Sequence, residues 1–394
     1  MGGFKPFKTS KSRGGQLGKI AAPLNKKLQQ VKWGDFVIEK YFEKVKVQTL
    51  SYKASDLPSV PTGEYVLPAL TAGIQNQGLN NYVPLENATI LQNVISISAN
   101  GANTGATFFQ SHKFTVLQDA YAIKWRGDDE LTNHQYLFMA AAISKTLYGN
   151  YEWTNKAGWE RIKTESIKLP ITADGEIDFG FIAEFVAELE AQRVAELATY
   201  LQATGLKDYT LTEEEQNILK DYNEWNWGTF NLETLFGKST RGKRLKSADR
   251  ISGELPFVTA GEANEGISDF IGNSVEIFEA NTTTIDMFGS AKYRNYKYGG
   301  DDHIAVVHTE GLPKHAAIFV TTAIHKSSHN GQFDYSNNFY ASDADVLNIV
   351  LPVKNSKPDY KAMELLISAI HKLVIKEVVE FADRKITITR KVIN

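Results

Sequence analysis

The sequence predicts an α+β fold built from two β-rich bodies, each followed by a long helix, with the two helices packing as an antiparallel coiled-coil-like pair. Three observations carry this. The phrase "LPALTAG" (67–73) returns 188 positions later as "LPFVTAG" (255–261). A series of further matches surrounds both phrases in one order, and each copy ends in apolar residues at helical spacing.

The matches run the length of both copies. "WGDF" (33–36) answers "WGTF" (227–230), and "NQGL" (76–79) answers "NEGI" (264–267). "ISISANGANTGATFF" (95–109) answers "TTIDMFGSAKY" (283–293), an alignment in which Gly101 meets Gly289. "NHQYLFMAAAI" (133–143) answers "KHAAIFVTTAI" (314–324), so His134 matches His315, and "IKLPIT" (167–172) answers "IVLPVK" (349–354). The chain is therefore two copies of one unit.

Short Val, Ile, Thr, Tyr and Phe runs such as "NVISISA" and "TTTIDMF", separated by Gly, Asn and Asp, make the bodies mainly β. After each body the period changes. Ile182, Phe185, Leu189 and Leu197 keep helical spacing in the first copy, and Met363, Leu366, Ile370 and Leu373 in the second. Asp178 and Asp359 precede these helices as caps. Each helix has one apolar stripe that needs cover. An antiparallel pair supplies it, and docking of each helix on its own body satisfies the stripe equally well.

At 394 residues the chain has room for two ordinary domains, and 42% hydrophobic with 23% charged residues excludes wholesale disorder. With no cysteine, disulfides, thiolate metal sites and cysteine nucleophiles are excluded, and a reducing cytoplasm suits the chain. The longest apolar run, "LFMAAAI" (137–143), is too short for a bilayer, so no membrane role is expected. The net charge of -3 hides segregation: residues 1–32 carry eight Lys or Arg and no acid, whereas 176–224 carry twelve acids and three bases. "GKSTRGKRLKSADR" (237–250) is basic again, and such stretches suit phosphates.

This ordered set, present twice over about residues 31–390, resembles the DNA specificity subunits of type I and type IIB restriction-modification systems. The carriers are the opening "WGDF/WGTF", the "LPALTAG/LPFVTAG" strands with "NQGL/NEGI", the Gly-centred segments, the "LP" strand ends at Pro170 and Pro352, and the helix after each. The resemblance implies two β-rich target recognition domains, each reading one half of a split DNA site, with the helices as spacers that dock methyltransferase subunits. The expected layout is a basic N-terminal arm at 1–30, target recognition domain 1 at 31–172, a central spacer helix region at 173–226, target recognition domain 2 at 227–354 and a C-terminal spacer helix at 355–394. Roughly 24 helical residues span about 36 Å, close to one turn of B-DNA at about 34 Å. The implied partners are double-stranded DNA, DNA methyltransferase (modification) subunits and a restriction endonuclease or fused restriction-modification subunit. No cofactor is expected in this chain; S-adenosylmethionine and Mg2+ belong to the partners. The short spacer and the basic arm lean toward type IIB.

Base edges are read by Arg, Lys, Asn and Gln, and phosphates are held by Lys and Arg. In the first copy the candidates are Gln75, Asn76, Gln77 and Asn80 after the repeated strand, then Asn100, Asn103, Thr104, Gln110 and Lys113 around the Gly-rich segment. In the second they are Arg241, Lys243, Arg244 and Lys246, then Thr259 and Asn264, and finally Ser290, Lys292, Tyr293 and Arg294.

Catalytic chemistry is not expected. No Pro-Pro pair exists, which removes the Asn- or Asp-Pro-Pro-aromatic tetrapeptide of an amino-methyltransferase. "GKST" (237–240) lacks the leading glycine of a phosphate loop, with Leu232 in its place. His325 and His329 have helical spacing but no glutamate between them of the zinc-protease kind, so no metal site is expected. The rival reading is a tandem β-domain module binding carbohydrate or protein through its aromatics, which predicts no salt-dependent DNA affinity.

Overall fold

The computed structural model describes residues 22–393. The chain divides into two units, the first ending at Glu196 and the second running from Leu197 to Val392.

The first unit opens with α1 (Ala22–Gln30), β1 (Trp33–Val37), α2 (Ile38–Tyr41) and β2 (Phe42–Lys44). Then come β3 (Tyr65–Leu70), β4 (Leu79–Pro84), β5 (Val94–Ser98), β6 (Thr107–Gln110), β7 (Thr115–Val116) and β8 (Ala120–Trp125). It continues with α3 (Asn133–Leu147), α4 (Trp159–Ile162), β9 (Ser166–Pro170) and α5 (Phe179–Ala203), the helix that crosses the unit boundary. The strands form a four-stranded sheet β2-β8-β5-β6, a three-stranded sheet β4-β3-β7 and the pair β1-β9.

The second unit repeats the plan. It holds α6 (Glu213–Asp221), β10 (Trp227–Asn231), α7 (Leu232–Phe236), β11 (Thr240–Arg241), β12 (Ser252–Val258), β13 (Ile267–Ile271), β14 (Thr282–Asp286) and β15 (Ala291–Arg294). After these come β16 (Gly299–Gly300), β17 (Ile304–Val307), α8 (Lys314–Ser328), α9 (Ala341–Val346), β18 (Asn348–Lys354), β19 (Lys357–Pro358) and α10 (Tyr360–Ile393). Its sheets, β11-β17-β14-β15, β13-β12-β16 and β10-β18-β19, match those of the first unit strand for strand, β19 being the addition.

The repeated phrases explain this. The opening Trp pairs with the closing Pro in both units, Trp33 with Pro170 and Trp227 with Pro352. Both glycines that follow lie under a neighbour: a Cβ on Gly34 would stand 2.8 Å from Ile171, and one on Gly228 2.7 Å from Val353. Only glycine lets the strands pair there without displacing that neighbour.

The alignment of Gly101 with Gly289 is corrected by strand register. Val94 pairs with Gln110 and Thr282 with Arg294, so the extra residues of the first copy fall in the loop before β6. The equivalent of Gly289 is Gly105. At φ +87° its Cβ would meet the Leu147 carbonyl at 2.8 Å, as Gly289 at φ +80° would meet that of Ser328.

In each unit the main core lies between the four-stranded sheet, the long body helix and the start of the helix that follows. Ile95, Ile97, Ile123, Met139, Ile143, Ile182 and Ile167 form it in the first, and Ile285, Val307, Val320, Ile324, Leu351 and Met363 in the second. Asp178 caps α5 by accepting the Phe181 amide at 2.8 Å, and Asp359 caps α10 through Ala362 at 3.0 Å, as the sequence suggests. His134 and His315 share a framework role, each paired with a carboxylate of the following helix: Glu190 at 3.1 Å and Glu364 at 3.2 Å.

Several residues expected to face partner subunits are instead fixed to their own body. Ile182 and Met363 are buried because the first turn of each helix closes the core beneath it, and Phe185 is buried against Phe138 and Phe181. Burying such a side chain is worth about 1.5–3 kcal/mol. Leu189, Leu197 and Leu366 are partly buried, whereas Ile370 and Leu373 are exposed, together with Val374 and Phe381.

Most of the basic arm lies outside the described residues. Its last part is α1, where Leu24 is buried and Lys27 pairs with Glu184 and Glu188 of α5. That lysine is committed to the protein and is not a free phosphate ligand.

Candidate nucleic-acid interface

Four of the candidates, Gln75, Asn76, Gln77 and Asn264, lie at the tips of two equivalent hairpins. β3 and β4 pair antiparallel, as do β12 and β13, and each pair is joined by a tight turn, Gln75–Gly78 and Ala263–Gly266. Asn76 and Gln77 have φ of 45° and 56°; Asn264 and Glu265 have 50° and 55°. Left-handed backbone is uncommon outside glycine, and its appearance at two successive residues in both units marks these turns as special. The turns close through glycine. Gly78 and Gly266 hand their carbonyls to the amides of Thr71 and Thr259, at 3.0 and 2.8 Å.

Polar side chains brace the first tip. Asn80 donates from Nδ2 to Thr71 Oγ1 at 2.8 Å and to the Gly78 carbonyl at 3.3 Å. Gln110, last residue of β6, donates from Nε2 to Ser96 Oγ at 2.9 Å and to the Gln77 carbonyl at 3.4 Å. In the second unit Arg294 occupies the place of Gln110. Its Nε donates to Thr284 Oγ1 at 2.9 Å and its Nη1 to the Tyr296 hydroxyl at 2.9 Å, while Nη2 lies 3.8 Å from where a Gly266 Cβ would be.

The sequence candidates thus separate into two groups. Gln75, Asn76, Gln77, Lys113, Arg241, Lys243, Arg244, Lys246 and Asn264 are exposed. Arg244 is 3.6 Å from Asp302. The others make contacts within the protein, and for the buried Thr104, Ser290 and Arg294 this corrects their reading as DNA contacts; Asn80 is exposed as well as bonded. Thr104 is buried and accepts the Ala157 amide at 3.0 Å; Arg294 and Ser290 are buried. Lys292 donates to Ser290 Oγ at 2.8 Å and Glu262 at 3.1 Å, and Tyr293 donates to Asn281 at 2.9 Å. Asn100 donates to Asp119 at 2.8 Å, and Asn80 and Gln110 hold the first tip as described. Asn103 and Thr259 are partly buried in the turns themselves.

The basic stretch of the second unit is stitched to the turn end of its hairpin. The Lys243 amide donates to the Gly300 carbonyl at 3.1 Å, and the Asp301 amide donates to Val258, one residue before Thr259, at 2.9 Å. Four exposed cations are thereby held on the loop joined to that hairpin. Asp301, Asp302 and His303 are close enough to share a cation among the described residues, but two of them already have internal partners: Asp301 accepts the Leu245 amide, and Asp302 faces Arg244 and His303.

Sequence reasoning passed over Glu265. Its signal was the repeat itself, which sets Glu265 opposite Gln77 in "NEGI" and "NQGL". An acid was not sought because DNA is a polyanion.

Comparison with known proteins agrees with this architecture. Residues 31–199 match the type I restriction modification DNA specificity domain. The chain is 23% identical over 358 residues to the type II restriction enzyme BgcI specificity subunit S.BcgI of Heyndrickxia coagulans, covering 89% of this chain and 98% of that one. Its fold is similar to the crystal structure of the type I restriction-modification system S subunit from M. genitalium, with a TM-score of 0.56 at 14% identity, covering 92% of this chain and 94% of that one. The resemblance read from the repeat therefore holds: residues 31–199 match the specificity-domain family, and this relative and this solved structure are similar to the chain over most of its length.

Proposed function

We propose that this chain is the non-catalytic DNA specificity subunit of a restriction-modification complex, working in the cytoplasm on a bipartite, asymmetric sequence. Each body reads one half-site. The observation that carries this is the hairpin tip: two bodies of one topology present the same unusual turn with different exposed side chains. Duplicated scaffolds with divergent tips suit a target whose halves differ. The exposed cations Arg241, Lys243, Arg244 and Lys246 hold phosphates beside the second tip, and Lys113 does so in the first body.

The helices after the bodies act as spacers. α5 has 25 residues, about 37 Å at about 1.5 Å each, comparable with one turn of B-DNA. Exposed Ile370, Leu373, Val374 and Phe381 give α10 an apolar face for a methyltransferase subunit. That partner brings S-adenosylmethionine, and the restriction subunit brings Mg2+. The type II name of the relative with near-complete coverage favours the type IIB arrangement.

Single-molecule sequencing of methylated bases in cells carrying this chain with its neighbouring methyltransferase tests the proposal. A split motif is expected, and it must vanish when this chain is deleted. Methylation indifferent to the deletion would overturn the assignment.

A further inference from the structure

The two tips share a backbone but not a chemistry. Asn76 and Asn264 are the same residue in the same conformation; the next position carries Gln77 in one unit and Glu265 in the other, at φ 56° and 55°. All four side chains are exposed, and none makes a side-chain hydrogen bond among the described residues. The residue beneath changes in step. Under the neutral Gln77 stands the neutral Gln110, whose amide reaches the Gln77 carbonyl at 3.4 Å. Under the turn that carries Glu265 stands Arg294, 1% exposed, whose partners are the Thr284 and Tyr296 hydroxyls and the Tyr298 ring, with no carboxylate among them. Tip and support are neutral in one unit and oppositely charged in the other.

We propose that the residue at 77 or 265 selects the base each body reads, with the Gln77 amide taking adenine and the Glu265 carboxylate taking cytosine. This rests on the DNA-reading function proposed above. An amide offers one donor and one acceptor face, which match adenine N6–H2 and N7; a carboxylate only accepts, which matches cytosine N4–H2. Elsewhere on a DNA-facing surface an acid is repelled by phosphates, so an exposed glutamate at the tip is best satisfied at an amino group on a base edge. The guanidinium of Arg294, its Nη2 3.8 Å from where a Gly266 Cβ would be, adds a buried positive charge beneath the turn that carries the acid.

The test is the methylome of cells carrying the methyltransferase with the wild-type chain, with Glu265→Gln, or with Gln77→Glu. Glu265→Gln is expected to change one position of one half-site from cytosine to adenine, with a shift in preference of about tenfold or more, leaving the other half intact. Gln77→Glu is expected to make the reverse change in the other half. Each variant places on one tip the residue the other tip already carries on the same backbone, and thermal melting of the purified chains checks that both fold. Should one variant melt low, the other decides. An unchanged motif, or uniform loss of methylation with melting unaltered, overturns the base assignment while leaving the specificity role standing. If the wild-type chain directs no motif, the specificity role itself fails and the assignment with it.

Discussion

Glu215 is buried against Lys372, its Oε2 2.8 Å from the ammonium, where α6 lies along α10 within the second unit. The same carboxylate accepts the Ser368 hydroxyl at 2.6 Å and completes the capping box of α6 by accepting the Thr212 amide at 2.8 Å. One side chain therefore both starts a helix and fastens it.

That arrangement sets a pH window. Burial by itself raises the Glu215 carboxyl, but the hydrogen bonds from Lys372, Ser368 and Thr212 outweigh it and bring it from 4.5 down to about 2. A carboxyl depressed in the folded state stabilises fully above its unfolded value and loses that contribution as pH falls through the folded one. Acid titration followed by hydrogen exchange is expected to release α6 between about pH 4.5 and 2. Glu215→Gln removes this dependence and leaves the partly buried Lys372 ammonium without its counter-charge, a loss at neutral pH measurable by urea unfolding and smaller than the about 3–5 kcal/mol of a fully buried pair.

The tips depend on their closing glycines. A Cβ on Gly78 would stand 2.9 Å from the Thr71 carbonyl, and one on Gly266 2.7 Å from that of Thr259, each at a φ of +80° or more. Gly78→Ala and Gly266→Ala are expected to cost about 1–3 kcal/mol each. Each should weaken recognition of its own half-site alone, which methylation of substrates mutated in one half would detect.

Lys243 and Lys246 are expected to hold phosphates without reading sequence. Replacing either by Ala should lower affinity for all DNA alike and reduce the slope of log affinity against log salt by about one. Fluorescence anisotropy across a salt series measures this. A loss confined to one sequence would contradict the assignment.

Leu373 and Val374 are 48% and 71% exposed on α10, so an acid there leaves the fold nearly untouched, within about 0.5 kcal/mol. Leu373→Asp with Val374→Asp is expected to abolish copurification with the methyltransferase subunit while melting stays unchanged. Retained copurification would place that partner on another surface.

The repeat was legible because it is written in residues whose backbone roles are hard to replace. Trp33 against Pro170 and Trp227 against Pro352 follow from phrases visible in the sequence. The helix caps Asp178 and Asp359 were legible for the same reason, since a cap is a local event. Long-range polar contacts were not. Thr104 and Ala157 are far apart in the chain, as are Arg241 and Ala305, and polarity alone does not tell a side chain that braces a loop from one that faces solvent. Ser290 and Arg294 were misread on that account. The fate of the helix stripes was equally hidden: Ile182 and Leu373 obey the same periodicity, yet one closes a core and the other meets water.

The left-handed turn, finally, bears on how such a chain changes over generations. Glutamine and glutamate sit on the same backbone at 77 and 265, so the turn conformation itself is compatible with either side chain, while the support beneath differs between the units. Codons for the two residues differ by one nucleotide. A lineage carrying this architecture can therefore sample altered tips through point mutation while keeping its core, its caps and the Glu215–Lys372 ion pair intact.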